Sequence, residues 1–138
     1  MSGKMAIVLF SGTIDKLMAV GVLSSAAAAL DMEVQIFATF WGLQSLRKDV
    51  AASNTRISKE WEEMKQPMLN IMKEKRVPSW LDLIKQAKSV GNVKIHACAM
   101  TFDLFGYKKE DLLDIVDDVV GAGEFLEYAK GADIVLFI

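Results

Sequence analysis

Five short, largely apolar runs recur along the chain, separated by stretches of helical character, and this alternation limits the fold more than any other feature. Met5 to Phe10, Glu33 to Phe40, Val93 to Cys98, Ile115 to Val120 and Asp133 to Ile138 read as strands. Apolar residues fill both alternating positions in most of them, the pattern of strands buried on both faces and hence of a parallel sheet with crossover helices above and below. Between the runs, Asp15 opens a helical stretch from Lys16 to Leu30. Pro78-Ser79 starts a second helix that runs through Lys88 and stops at Gly91, and Lys109 to Leu113 and Gly123 to Lys130 complete the helical set.

The expected fold is therefore α/β: a flavodoxin-like, doubly wound sheet of about five mainly parallel strands with helices on both faces, in the order 2-1-3-4-5. A single domain over 1–138 with a helical insertion at about 43–77 fits the length. Hydrophobic residues make up 52% and charged residues 25%, enough to fill a core and too apolar for a disordered tail. With a net charge of -2 and Lys and Arg spread along the chain, no footprint for nucleic acid is present. The longest uncharged stretches, Leu17 to Leu30 and Val34 to Leu46, are shorter than the ~20 residues that cross a bilayer. No signal-peptide pattern precedes the first strand, so a cytoplasmic location is expected.

One cysteine and one histidine exclude a disulfide framework and leave too few soft ligands for a transition-metal centre, so no cofactor is expected. Cys98 stands at the carboxyl end of the third strand, facing the start of the next helix, a setting that lowers a thiol pKa. In the 2-1-3-4-5 order, Ser11-Gly12-Thr13 and Cys98 end the two strands that flank the crevice, with Gly121-Ala122-Gly123 as a third wall. Gly12 alone is a weak phosphate-loop signal and reads better as a plain strand-to-helix turn than as a nucleotide cradle. His96 shares a strand face with Cys98 and reads as a satisfied core histidine. In the insertion, Trp61, Met64, Met68 and Met72 share one helical stripe with Leu69 and Ile71 nearby, and Pro67 must break or restart that helix.

Three segments carry a resemblance: Ser11-Gly12-Thr13-Ile14-Asp15-Lys16, the block Phe37 to Leu43 with Leu46-Arg47-Lys48, and Ala97-Cys98-Ala99-Met100-Thr101-Phe102-Asp103-Leu104. Together with Val119-Val120-Gly121 and the closing Ala132 to Ile138, they resemble the DsrE/DsrF-like family, in the larger DsrE-like branch also labelled peroxiredoxin-like. The resemblance implies a flavodoxin-like homo-oligomer that binds sulfane sulfur on Cys98. It would act as a carrier or sulfurtransferase toward small sulfur-carrier proteins or rhodanese-type enzymes. The implied pocket comprises Ser11, Gly12, Thr13, Trp41, Met100, Asp103, Gly121 and Gly123; a carboxylate beside the thiol would raise its pKa by like-charge repulsion, so Asp103 reads as a cap on the following helix. The chain departs from the family pattern at Thr101-Phe102 and at Phe105 and Tyr107, which bears on donor preference and pocket size. Two other classes fit the same residues: a flavin- or nucleotide-binding module, and an assembly protein whose cysteine is inert.

Overall fold

Strand alternation decides which side chains enter which layer. The computed structural model describes residues 3–138; residues 1 and 2 of the expected domain lie outside them. Its strands are β1 (Lys4–Leu9), β2 (Glu33–Ala38), β3 (Val93–Cys98), β4 (Asp118–Val120) and β5 (Ile134–Phe137). All four strand pairings are parallel. On one face, Met5, Ile7 and Leu9, Val34, Ile36 and Ala38, and Val93, Ile95 and Ala97 build the main core. The helices α1 (Ile14–Ala29) and α5 (Trp80–Val90) pack on each other over it. On the opposite face Ala6, Phe37, Cys98 and Val120 meet Phe125 of α7 (Ala122–Ala129). The sheet is thus covered on both sides, as expected.

The strand order differs from expectation: it is β4-β3-β2-β1-β5, not 2-1-3-4-5. The physical reason lies in β2. Every residue of it after Glu33 is buried, including Phe37 on the second face, so it belongs at the sheet's centre, where the expected order would have left it at an edge. β5 takes the edge beside β1, and most of its residues are exposed. From β1 to β4 the chain advances in one direction, then returns to the far side of β1, which moves the topological switch from β1/β3 to β1/β5.

Elements begin and end close to where the sequence places them, with local exceptions. Ser79 caps α5 by accepting from Asp82 N at 3.1 Å. The fourth strand shrinks to Asp118–Val120, because Asp117 turns inward to accept from Ile95 N at 2.8 Å and from Lys88 Nζ at 2.6 Å. Lys109–Asp111 forms only a 3-10 turn. Within 43–77 lie α2 (Trp41–Gln44), α3 (Lys48–Ala51), a 3-10 segment (Lys59–Met64) and α4 (Lys65–Glu74). Pro67 occupies the first turn of α4, where its missing N–H costs nothing, so the helix restarts there rather than breaking. A final helix, α6 (Ala99–Leu104), follows β3 directly.

Candidate functional site

The central position of β2 reshapes the site expected at the carboxyl ends of the strands. Ser11, Gly12 and Thr13 line a crevice with Trp41, Arg56 and Phe105. Cys98 lies two strands away, with the end of β2 and its Thr39-Phe40-Trp41 continuation between them. The two therefore do not face each other across a β1/β3 crevice. Gly12 is required by close packing, since a Cβ there would stand 2.4 Å from Trp41 O, and Gly42 likewise lies against Leu9 O. These contacts dock the Trp41 turn onto the end of β1, where Gly42 N donates to Phe10 O at 2.9 Å.

The start of α1 is occupied by the protein's own groups. Ile14 N donates to Arg56 O at 2.8 Å, Asn54 Nδ2 donates to Gly12 O at 2.8 Å, and the Asp15 carboxylate accepts from Ser58 Oγ at 2.8 Å. Burial of Asp15 is outweighed by hydrogen bonds from Thr13, Ser58 and Lys16, which hold its carboxyl below the usual range. A carbonyl and a carboxylate thus stand where a nucleotide phosphate would need donors, which disfavours a phosphate cradle at Gly12.

Cys98 ends β3 and serves as the N-cap residue of α6. The residue is 5% exposed and packs with Ala6, Phe37, Val120 and Phe125. Burial pushes the thiol pKa up and is the largest single influence. Against it stand the Thr101 hydroxyl and N–H, the Thr39 hydroxyl and the Met100 N–H, and their combined effect carries the pKa below the ordinary thiol value. No capping hydrogen bond from these groups closes on the sulfur; they act as dipoles directed at it.

Thr101 is the hub of this arrangement and is fully buried. Its Oγ1 accepts from Phe40 N at 3.0 Å and lies 3.2 Å from Thr39 Oγ1. The bond to Phe40 N holds a residue with φ 46 and ψ -116, a conformation that costs a non-glycine residue about 1–3 kcal/mol. Neither threonine was singled out as a site residue from the sequence. The available signal was spacing: Thr101 is three residues after Cys98, the N3 position of the helix that Cys98 caps, and Thr39 follows the last residue of β2.

The other expected pocket residues are distributed around this centre. Met100 and Asp103 are exposed on α6, and Asp103 lies inside the helix rather than capping it. Gly121 is the N-cap of α7, directly after Val120, the strand partner of Cys98. A Cβ on Gly121 or Gly123 would meet nothing within 4 Å, so neither forms a tight wall. Aromatic rings continue along the rim: Phe137 on Phe10 at 5.8 Å, Phe10 beside Phe40 at 5.9 Å, and Trp41 beside Phe105 at 6.1 Å.

His96 is the satisfied core histidine expected from its position. Its Nδ1 lies 2.6 Å from Asp118 Oδ1, its Nε2 lies 2.6 Å from Gln35 Oε1, and its ring stacks on Tyr128 at 4.6 Å. These partners clip the short β4 and α7 onto the sheet beside the thiol.

Comparison with known proteins agrees with this fold and carries the identification. The chain is 37% identical to the uncharacterized protein YrkE of Bacillus subtilis, over 96% of this chain and 94% of that protein. It is 33% identical to the sulfur carrier protein DsrE2 of Allochromatium vinosum, over 98% of each. Among solved structures it superposes on MTH1491 of Methanobacterium thermoautotrophicum, a protein of unknown function, with a TM-score of 0.60 at 17% identity, covering 97% of this chain and 98% of that one. The E. coli ychN protein gives 0.59 at 15% identity, covering 99% of each. The model of the DsrE/DsrF/DrsH-like family matches residues 1–137, and the chain belongs to that family.

Proposed function

We propose that the protein carries sulfane sulfur on Cys98. The observation that carries this reading is the setting of the thiol, whose pKa is lowered by Thr101, Thr39 and Met100. A thiolate is the competent nucleophile for sulfur exchange, and the surrounding dipoles also suit the anionic persulfide that results. Membership of the family and the similarity to a sulfur carrier support the same reading.

The exchange balances without an external oxidant. The Cys98 thiolate attacks the outer sulfur of a donor persulfide, an S–S bond forms to Cys98, the donor's S–S bond breaks, and the donor leaves as a thiolate. Attack on a central sulfur of tetrathionate instead leaves an S-thiosulfonate on Cys98 and releases thiosulfate. Delivery reverses the first step toward an acceptor thiolate on a small carrier protein or a rhodanese-type enzyme. The single cysteine suffices, whereas a peroxidase cycle would need a second thiol to resolve the sulfenate. Low exposure suits a carrier, since the bound sulfur is shielded until side chains on α6 or α7 yield to a partner.

The protein further acts in the cytoplasm as a homo-oligomer. Exposed Trp61 and Met64 on the 3-10 stretch, Met100 and Leu104 on α6, and Val135 and Phe137 on β5 support assembly, because exposed large apolar side chains invite a partner. Intact-mass spectrometry after incubation with polysulfide or tetrathionate tests the carrier reading. Wild type should gain sulfur or thiosulfonate on Cys98 alone, and Cys98→Ser should gain none. A wild type that accepts neither sulfur nor a small alkylating reagent would reject it in favour of an inert core thiol.

A further inference from the structure

The segment from Lys59 to Arg76 has no role in the thiol site, and it is the least covered part of the fold. Neither its 3-10 stretch nor α4 contains a buried residue. Trp61, Met64 and Ile71 are 59%, 49% and 51% exposed, with Met68 half-buried between them. A stripe of this kind is core in most helices; here Met68 and Met72 are only half-buried, and Trp61, Met64 and Ile71 are left exposed.

Its position argues against a lid over the thiol. The segment enters through Ser58, which Asp15 of α1 holds at 2.8 Å, and leaves into α5, whose first residue, Trp80, is buried in the main core. Both anchors belong to helices of the first face. Cys98 points into the second.

Charge identifies the occupant. The entering end, 59–64, carries three glutamates and one lysine, while the leaving end, 73–76, carries Lys73, Lys75 and Arg76 against Glu74 alone. We infer that this segment pairs antiparallel with the same segment of a second copy, about a twofold axis near Met68. In that register Glu63 faces Lys73 and Met64 meets Met72, while Glu60 in the 3-10 stretch and Arg76, just past the end of α4, come together at the two ends. Parallel pairing would set like charges against each other at both ends. An anionic membrane surface is a poorer match, because the glutamates at the entering end would be repelled from it. The paired stretch is about 27 Å long, a small interface, so association in the micromolar range is expected. This inference rests on the oligomeric part of the reading above and leaves both copies of Cys98 accessible.

Charge reversal on the full chain tests it, with mass read by sedimentation velocity and light scattering at tens of micromolar. Glu60→Lys with Glu63→Lys, and separately Lys73→Glu with Arg76→Glu, should each weaken self-association at least tenfold. Mixing the two variants, or combining all four changes in one chain, should restore the dimer. Added salt should weaken the wild-type dimer. A wild type that stays monomeric would overturn the inference, as would an oligomer whose mass neither pair of reversals changes. Unchanged circular dichroism checks the fold, and sulfur loading of Cys98 is read on the same variants, so failure of the carrier reading is seen independently of failure of the contact.

Discussion

Thr101 joins three features that would otherwise be independent: the thiol's acidity, the strained Phe40 turn and the link from β2 to α6. Thr101→Val removes the hydroxyl while keeping the shape. Cys98 should then ionise at higher pH, and the midpoint of its alkylation-rate profile should move up. Phe40 N would lose its acceptor, at a cost of about 1–3 kcal/mol. Thr101→Ser should restore the midpoint, and a Val variant with an unchanged profile would remove Thr101 from the site. Linkage adds a second expectation at Cys98. Because its folded pKa lies below its unfolded one, the thiolate's contribution to stability grows as pH rises through the folded value and is complete above the unfolded value of about 8.5. Unfolding free energy should therefore rise with pH more steeply for wild type than for Cys98→Ser in the window just below that value, and the difference should disappear as pH falls beneath the folded pKa. Parallel curves for the two proteins would contradict a depressed pKa.

At the scale of elements, α7 packs its Phe125 over the cluster that holds the thiol. Phe125 stacks on Phe37 at 4.8 Å over the Cys98 cluster, while Tyr128 stacks on His96. Phe125→Leu keeps an apolar contact but gives up the ring stack, worth about 1 kcal/mol. Alkylation of Cys98 should accelerate several-fold with only a modest loss in melting temperature, whereas an unchanged rate would place the entry route along α6, beside Met100. The strands and most helices were readable from the chain because period-2 and helical patterns are local, and the same alternation placed His96 and Cys98 on one face. Strand order was not readable in this way. Both orders use only parallel crossovers, and the complete burial of β2 distinguishes them. The threonine pair was hidden for the same reason: Thr39 and Thr101 are 62 residues apart and meet only because β2 and β3 are neighbours.

Over the whole molecule, the two edges of the sheet are unequal. β4 is three residues long and clipped by His96 to Asp118, a protected edge. β5 is longer, and no charged side chain interrupts Ile134–Phe137, with Val135 66% exposed. An unguarded edge of this kind invites non-specific strand addition, a different hazard from the charge-patterned contact proposed for 59–76. Val135→Lys should interrupt it. Val135 is exposed on an edge strand, so the change should cost no more than about 0.5 kcal/mol. Static light scattering at high concentration should show less aggregation, the proposed dimer at lower concentration should persist, and sulfur loading of Cys98 should be unaltered. If Val135→Lys instead dissolves the dimer while the charge reversals on 59–76 do not, the contact between copies runs along β5 and its neighbours Phe10 and Phe137, beside the aromatic rim of the site.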